Sequence, residues 1–142
     1  MPISFQNQDI KFLLKNKRKI SSWIKNVIIK YNKELGSVNY IFCSNNFILD
    51  LNLKYLNHNY FTDIITFDYC ESNIIEGDIF ISIDTVKENS IRFSTNFDDE
   101  LLRVIIHGIL HLVGFDDKTS TQQKKMRTLE TEAINVFYGS DT

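Results

Sequence analysis

A chain of 142 residues, 43% apolar and 24% charged with a net charge of −2, suits one compact globular domain and excludes a disordered or fibrous chain. No apolar run approaches the roughly 20 residues that cross a bilayer. The start, MPISFQNQDI, lacks the basic and apolar stretches of a secretory signal, so the expected location is cytoplasmic, away from any membrane. Cys43 and Cys70 form no C-x-x-C pair and are expected as buried thiols in a reducing compartment.

The near-neutral total hides an asymmetry. Residues 1–36 carry eight Lys/Arg against Asp9 and Glu34, while the remainder carries eight against sixteen acidic residues. On charge alone the basic segment reads as a solvated helix face; the alternative is a surface that meets phosphates.

In chain order, ISFQNQ (3–8) alternates apolar and polar residues as a strand does. From about Lys19, Ile20, Trp23, Ile24, Val27, Ile28, Tyr31 and Leu35 repeat at helical spacing, with Gly36 as the residue that ends the helix. Residues 37–44 read as a second strand, and 45–57 as a helix capped by asparagine. Residues 62–69 and 77–83 read as two further strands, paired as a hairpin. Asp84 is placed as the cap of a short helix through about Arg92. Asp98 or Asp99 starts the longest apolar helix, with acidic residues in its first turn, where the dipole favours them. A final helix follows Thr119 or Ser120. No repeat or Gly/Ser-rich linker divides the chain. The expected fold class is α+β: a single domain over 1–142, with a small mixed β-sheet of about four strands packed with about five helices.

The stretch HGILHLVGFDD (107–117) carries the chemistry. His107 and His111 lie four apart on one helix face and can grip one ion. Gly114 is seven residues after His107 and Asp117 is ten after it, the spacing of the H-E-x-x-H-x-x-G-x-x-H metzincin frame. In that geometry the helix supplies two ligands, glycine lets the chain leave in a left-handed turn, and the third ligand folds back. Two positions depart from the frame. The general-base glutamate of the peptidases is Gly108, expected to leave room at the ion, and the third histidine is Asp117. Aspartate is a legitimate zinc ligand, but it lowers the charge of the site and lets harder ions such as Mn²⁺ compete. Three protein ligands leave a position for water, the arrangement of a catalytic site.

The same stretch resembles the H-G-x-L-H-L-x-G-[YF]-D-H signature of the YbeY endoribonucleases, bacterial rRNA maturation factors. TDIITF (62–67) is similar to their T-D-[VI]-[LI]-[ST]-F strand, EGDIFIS (76–82) to their G-D-I-x-[IL]-S strand, and LNLKYLNHNYFTD (51–63) falls where they carry L-N-x-x-[YF]-R. The resemblance implies a zinc-dependent endonuclease of single-stranded RNA with one zinc per chain. It also implies roles in 16S rRNA 3′-end maturation and ribosome quality control, and partners on the small ribosomal subunit. Their third histidine is Asp117 here, their arginine falls on Leu56, and the proline before T-D is Phe61.

The expected chemistry is phosphodiester hydrolysis at an ion held by His107, His111 and Asp117, with its water as nucleophile or the ion polarising the phosphate. Thr62, Asp63 and Thr66 stand to face the groove or to stabilise the turn, and Asp63 and Asp78 are read first as turn-closing residues. Asp116 either orients a ligand histidine or enters the next helix. His58 offers a partial substitute for the arginine or is a surface histidine. Lys15, Lys17, Arg18 and Lys19 steer RNA if folding puts them beside the groove. A monomer is expected. The alternative is a non-catalytic ribosome-assembly factor with a residual metal site; a metallopeptidase is a weaker one, because Gly108 carries no proton.

Overall fold

The computed structural model describes residues 2–57 and 62–139. The chain runs β1 (Ile3–Asn7), α1 (Lys17–Lys30), β2 (Glu34–Cys43), α2 (Asn45–Leu51), a π-helical turn (Asn52–Leu56), β3 (Ile64–Asp68), β4 (Ile74–Ser82), α3 (Ile83–Arg92), α4 (Phe97–Val113) and α5 (Ser120–Phe137). The four strands form one mixed sheet in the order β1-β2-β4-β3. β1, β2 and β4 are parallel, and β3 joins β4 as an antiparallel hairpin at the edge. The expected α+β class holds: a four-stranded sheet with five helices.

Alternation along the strands divides the sheet into two faces. Val38, Tyr40 and Phe42 of β2 and Ile79 and Ile81 of β4 enter the main core with α1, α4 and α5. Cys43, Ile48 and Ile65 form a smaller cluster on the other face, under α2. α4 is the centre of the molecule, with nine buried residues from Leu101 to Leu112. It is apolar on most of its circumference because sheet and helices surround it. Two buried hydrogen bonds tie the layers: Tyr40 Oη donates to the Ile105 carbonyl at 2.9 Å, and Trp23 Nε1 donates to the Ala133 carbonyl at 2.7 Å. Among the described residues no helix is long and apolar enough to cross a membrane.

Several element ends differ from the sequence expectation. α1 stops at Lys30, and Gly36 lies within β2 rather than ending the helix. The stop is made by Asn32, left-handed at φ 62°; its amide donates to the Ile29 carbonyl and that of Lys33 to the Ile28 carbonyl. This is a Schellman closure with asparagine in place of glycine. Leu35 kept the helical spacing only by coincidence. The caps of three helices also shift: Ser44, Ser82 and Asn96 accept from the first-turn amides, not Asn45, Asp84 or Asp98/Asp99. Thr119 caps α5 in a reciprocal pair with Gln122, as expected of one of the two candidates.

Candidate metal centre

α4 presents His107 and His111 one turn apart on its exposed side. At its end Gly114 adopts φ +118°, and the amides of Gly114 and Phe115 close onto the carbonyls of His111 and Leu110 at 3.0 Å each. That closure reverses the chain, and the Phe115 ring packs edge-on against Tyr31 at the end of α1 (5.2 Å between centroids). Three residues past Gly114, Asp117 meets the two histidines before the Thr119 cap starts α5. The Asp117 segment is therefore fixed at both ends by hydrogen-bonded helix termini.

The three ligating atoms form a nearly equilateral triangle. His107 Nε2 and His111 Nε2 are 3.0 Å apart, and Asp117 Oδ2 is 3.3 Å from the first and 3.4 Å from the second. Atoms held at about 2.0–2.1 Å from a tetrahedral zinc lie about 3.3 Å from one another. The triangle fits one face of such a site. Among the described residues no other His, Cys, Asp or Glu joins this group, and these three would hold an ion at the edge of the cavity. Both cysteines are free and lie elsewhere; burial pushes the Cys43 thiol up to about 12 and that of Cys70 to about 11.

Behind the triangle stands a residue the sequence reading missed. Glu130 of α5 is buried, and its Oε2 accepts a hydrogen bond from His107 Nδ1 at 2.6 Å. Its Oε1 accepts from Arg103 Nη1 at 2.9 Å, and Arg103 Nη2 also reaches Thr131 Oγ1 at 3.3 Å. With the proton fixed on Nδ1, the Nε2 lone pair of His107 points into the triangle. Burial alone pushes the His107 imidazole down, but its hydrogen bond to Glu130 and the charges of Glu130, Asp117 and Asp63 outweigh it and hold the group above its ordinary value. One signal in the sequence pointed to Glu130. It sits on the apolar stripe of Met126, Leu129, Ala133 and Ile134, where a carboxylate needs a partner.

The triangle opens into a cavity of about 760 Å³. Thr62, Asp63, Thr66 and Asp116 line it, as does Leu56 from the π-helical turn. Burial pushes the Asp63 carboxyl up, partly offset by His107. Asp78 is elsewhere, accepting from Asn39 Nδ2 at 3.0 Å on the opposite face of the sheet. The orienting bond to His107, one of the two roles read for Asp116, is made by Glu130. Gly108 does not face the ion: a Cβ there would stand 3.0 Å from Ile79 Cδ1 and 3.2 Å from Ile64 Cδ1, so the glycine lets α4 approach the sheet. Lys15, Lys17, Arg18 and Lys19 are absent from the cavity lining, and Lys19 Nζ lies over the Phe137 ring at the far end of α5. The cations that do line the cavity are Arg103 and Arg127. His58 lies outside the described residues.

Known proteins resemble the chain over nearly its whole length. The profile of the family described as Endoribonuclease YbeY matches residues 3–138. The Endoribonuclease YbeY of Bacteroides thetaiotaomicron is 48% identical over 134 residues, covering 94% of this chain and 98% of its own. That of Flavobacterium psychrophilum is 43% identical over 136 residues, 96% of each chain. The solution structure of a Thermotoga maritima protein superposes with a TM-score of 0.68 at 27% identity, over 96% of this chain and 89% of that one.

Proposed function

The chain belongs to the Endoribonuclease YbeY family, and from that membership we propose that it is a metal-dependent endoribonuclease of single-stranded RNA. It acts in rRNA maturation, at the 16S 3′ end, and in ribosome quality control, in the cytoplasm and with partners on the small ribosomal subunit. The observation that carries the reading is the His107–His111–Asp117 triangle, open on one side to a cavity large enough for a stretch of nucleic acid.

His107, His111 and Asp117 would hold the ion, and zinc suits the donor set best: two imidazoles, one carboxylate and edges of tetrahedral length. When bound, a divalent ion lowers the pKa of a coordinated water and polarises a phosphoryl oxygen. The protein does the rest. Glu130 keeps the His107 proton on Nδ1 and so holds Nε2 ready, with Arg103 keeping the Glu130 carboxylate paired. Arg127, at the exposed rim of the cavity, supplies positive charge toward an RNA phosphate. Asp63 lines the cavity just ahead of β3, where burial pushes its carboxyl up and His107 partly offsets this.

The test is cleavage of a labelled single-stranded RNA. Wild type with zinc cuts it, a chelator stops it, zinc restores it, and His111→Ala does not cut. Equal cleavage by wild type and His111→Ala would remove the metal from the reaction. Zinc binding without any cleavage would favour the assembly-factor alternative, and cleavage of casein instead of RNA the peptidase.

A further inference from the structure

α3 lends two side chains to the cavity that the metal chemistry does not use. Asn89 and Phe93 sit four residues apart on its last turn, where the Phe93 amide donates to the Asn89 carbonyl at 2.9 Å, and both line the cavity. That spacing puts them on one side of the helix, one above the other. Phe93 is 59% exposed, at the rim. An exposed phenylalanine by itself is ordinary. This one stands at the mouth of a cavity that is otherwise largely polar and charged. The Asn89 side chain is half-buried, and among the described residues its amide has no hydrogen-bond partner. An unpaired, partly buried amide facing a cavity has a donor and an acceptor to give to a ligand.

Both side chains share one cavity with the metal group. Glu100 and Val104 of α4, a helix that α3 packs against, line the same cavity. They precede His107 by seven and three residues, about 5–10 Å along the axis at 1.5 Å per residue. Arg127 also lines the cavity, is exposed, and suits the backbone.

We infer that Asn89 and Phe93 form a base-binding subsite for a nucleotide next to the scissile phosphate, with the Phe93 ring stacked on the base and the Asn89 amide hydrogen-bonded to its edge. The inference rests on the RNA reading above and adds a source of sequence preference to it. Aromatic stacking is tolerant of base identity, and an amide on the base edge discriminates. Phe93 therefore governs affinity and Asn89 governs choice.

The test is fluorescence anisotropy of labelled single-stranded oligo(A), oligo(C) and oligo(U), titrated with the full-length protein in chelator so that binding is read without cleavage. Phe93→Ala weakens all three by about 5- to 100-fold, and Phe93→Tyr restores binding. Asn89→Ala narrows the differences among the three RNAs while retaining most of the affinity. Ile91→Ala, on the same helix, 73% exposed and outside the cavity, changes nothing. In Phe93→Trp the new indole is quenched by RNA, while the native Trp23, buried against α5, is not. If wild type cuts RNA in zinc and the Phe93→Ala and Asn89→Ala variants bind all three RNAs as wild type does, the subsite is wrong and the endoribonuclease reading stands. If wild type neither binds nor cuts RNA, both fall.

Discussion

The Nδ1 proton of His107 decides what the rest of the site can do. Glu130 accepts its hydrogen bond at 2.6 Å from a buried position, held in turn by Arg103. Glu130→Gln keeps the shape and loses the charge, so zinc affinity should fall roughly 10- to 100-fold, read by competition with a chromogenic chelator while far-ultraviolet circular dichroism stays unchanged. The same contact fixes a pH dependence in the zinc-free protein. The His107 imidazole is held above its ordinary value of 6.5 once Glu130 outweighs burial. Its contribution to stability is fully present below about pH 6.5 and is lost as pH rises through the raised folded value. The difference in unfolding free energy between wild type and His107→Gln should shrink across that window; a difference that grows with pH would contradict the assignment. At this scale the ligands were legible in the sequence, because His107, His111, Gly114 and Asp117 fall within one short stretch whose spacing encodes a helix and a turn. Glu130 was not, because its partner lies 23 residues away on another helix, and only its place on an apolar stripe hinted at a buried role.

Helix ends bring these residues together, and Gly114 is the end that matters most. Nothing lies within 4 Å of a Cβ built there, but φ is +118°. Gly114→Ala should therefore cost about 1–3 kcal/mol through backbone strain rather than through a clash, and it should weaken zinc binding because Asp117 leaves from that turn. Urea unfolding and zinc titration of the same variant read the two effects. Gly108 acts by space instead. Gly108→Val pushes methyl groups into Ile79 and Ile64, already 3.0–3.2 Å from a Cβ. It should lower the unfolding free energy by about 1–3 kcal/mol, and an unchanged midpoint would show that α4 is free to lift from the sheet. Periodicity showed where the elements are and was less informative about their ends. Asn32 closes α1 with the geometry usually given to glycine, while Leu35 continued the apolar spacing into a strand. Ser44, Ser82 and Asn96 took the caps from acidic or amide neighbours one to three residues on, because the cap is decided by which side chain has extended backbone at the boundary.

Across the whole molecule the cavity draws on the π-helical turn, β3, α3, α4, α5 and the segment between the last two. The mixed sheet and its hairpin were within reach of the sequence; the strand order and the meeting of α3 and α5 around the metal group were not, since nothing local encodes them. The basic cluster shows the same limit. Lys19 rests on Phe137, seven residues beyond Glu130 on α5, about 10 Å further along that helix, so Arg103 and Arg127, not the cluster, bring charge to the cavity. Because the site joins α4 to α5, an ion bound there stabilises the fold: zinc at a hundredfold excess over its Kd should raise the thermal midpoint by roughly 10 °C, and should do so in wild type but not in His111→Ala. The central claim is that Asp117 completes the site. Its most direct test is zinc content by elemental mass spectrometry on untagged wild type and Asp117→Ala. About one zinc per chain in wild type, with most of it lost in Asp117→Ala, is the predicted result; equal zinc in the two proteins, or none in either, would contradict it.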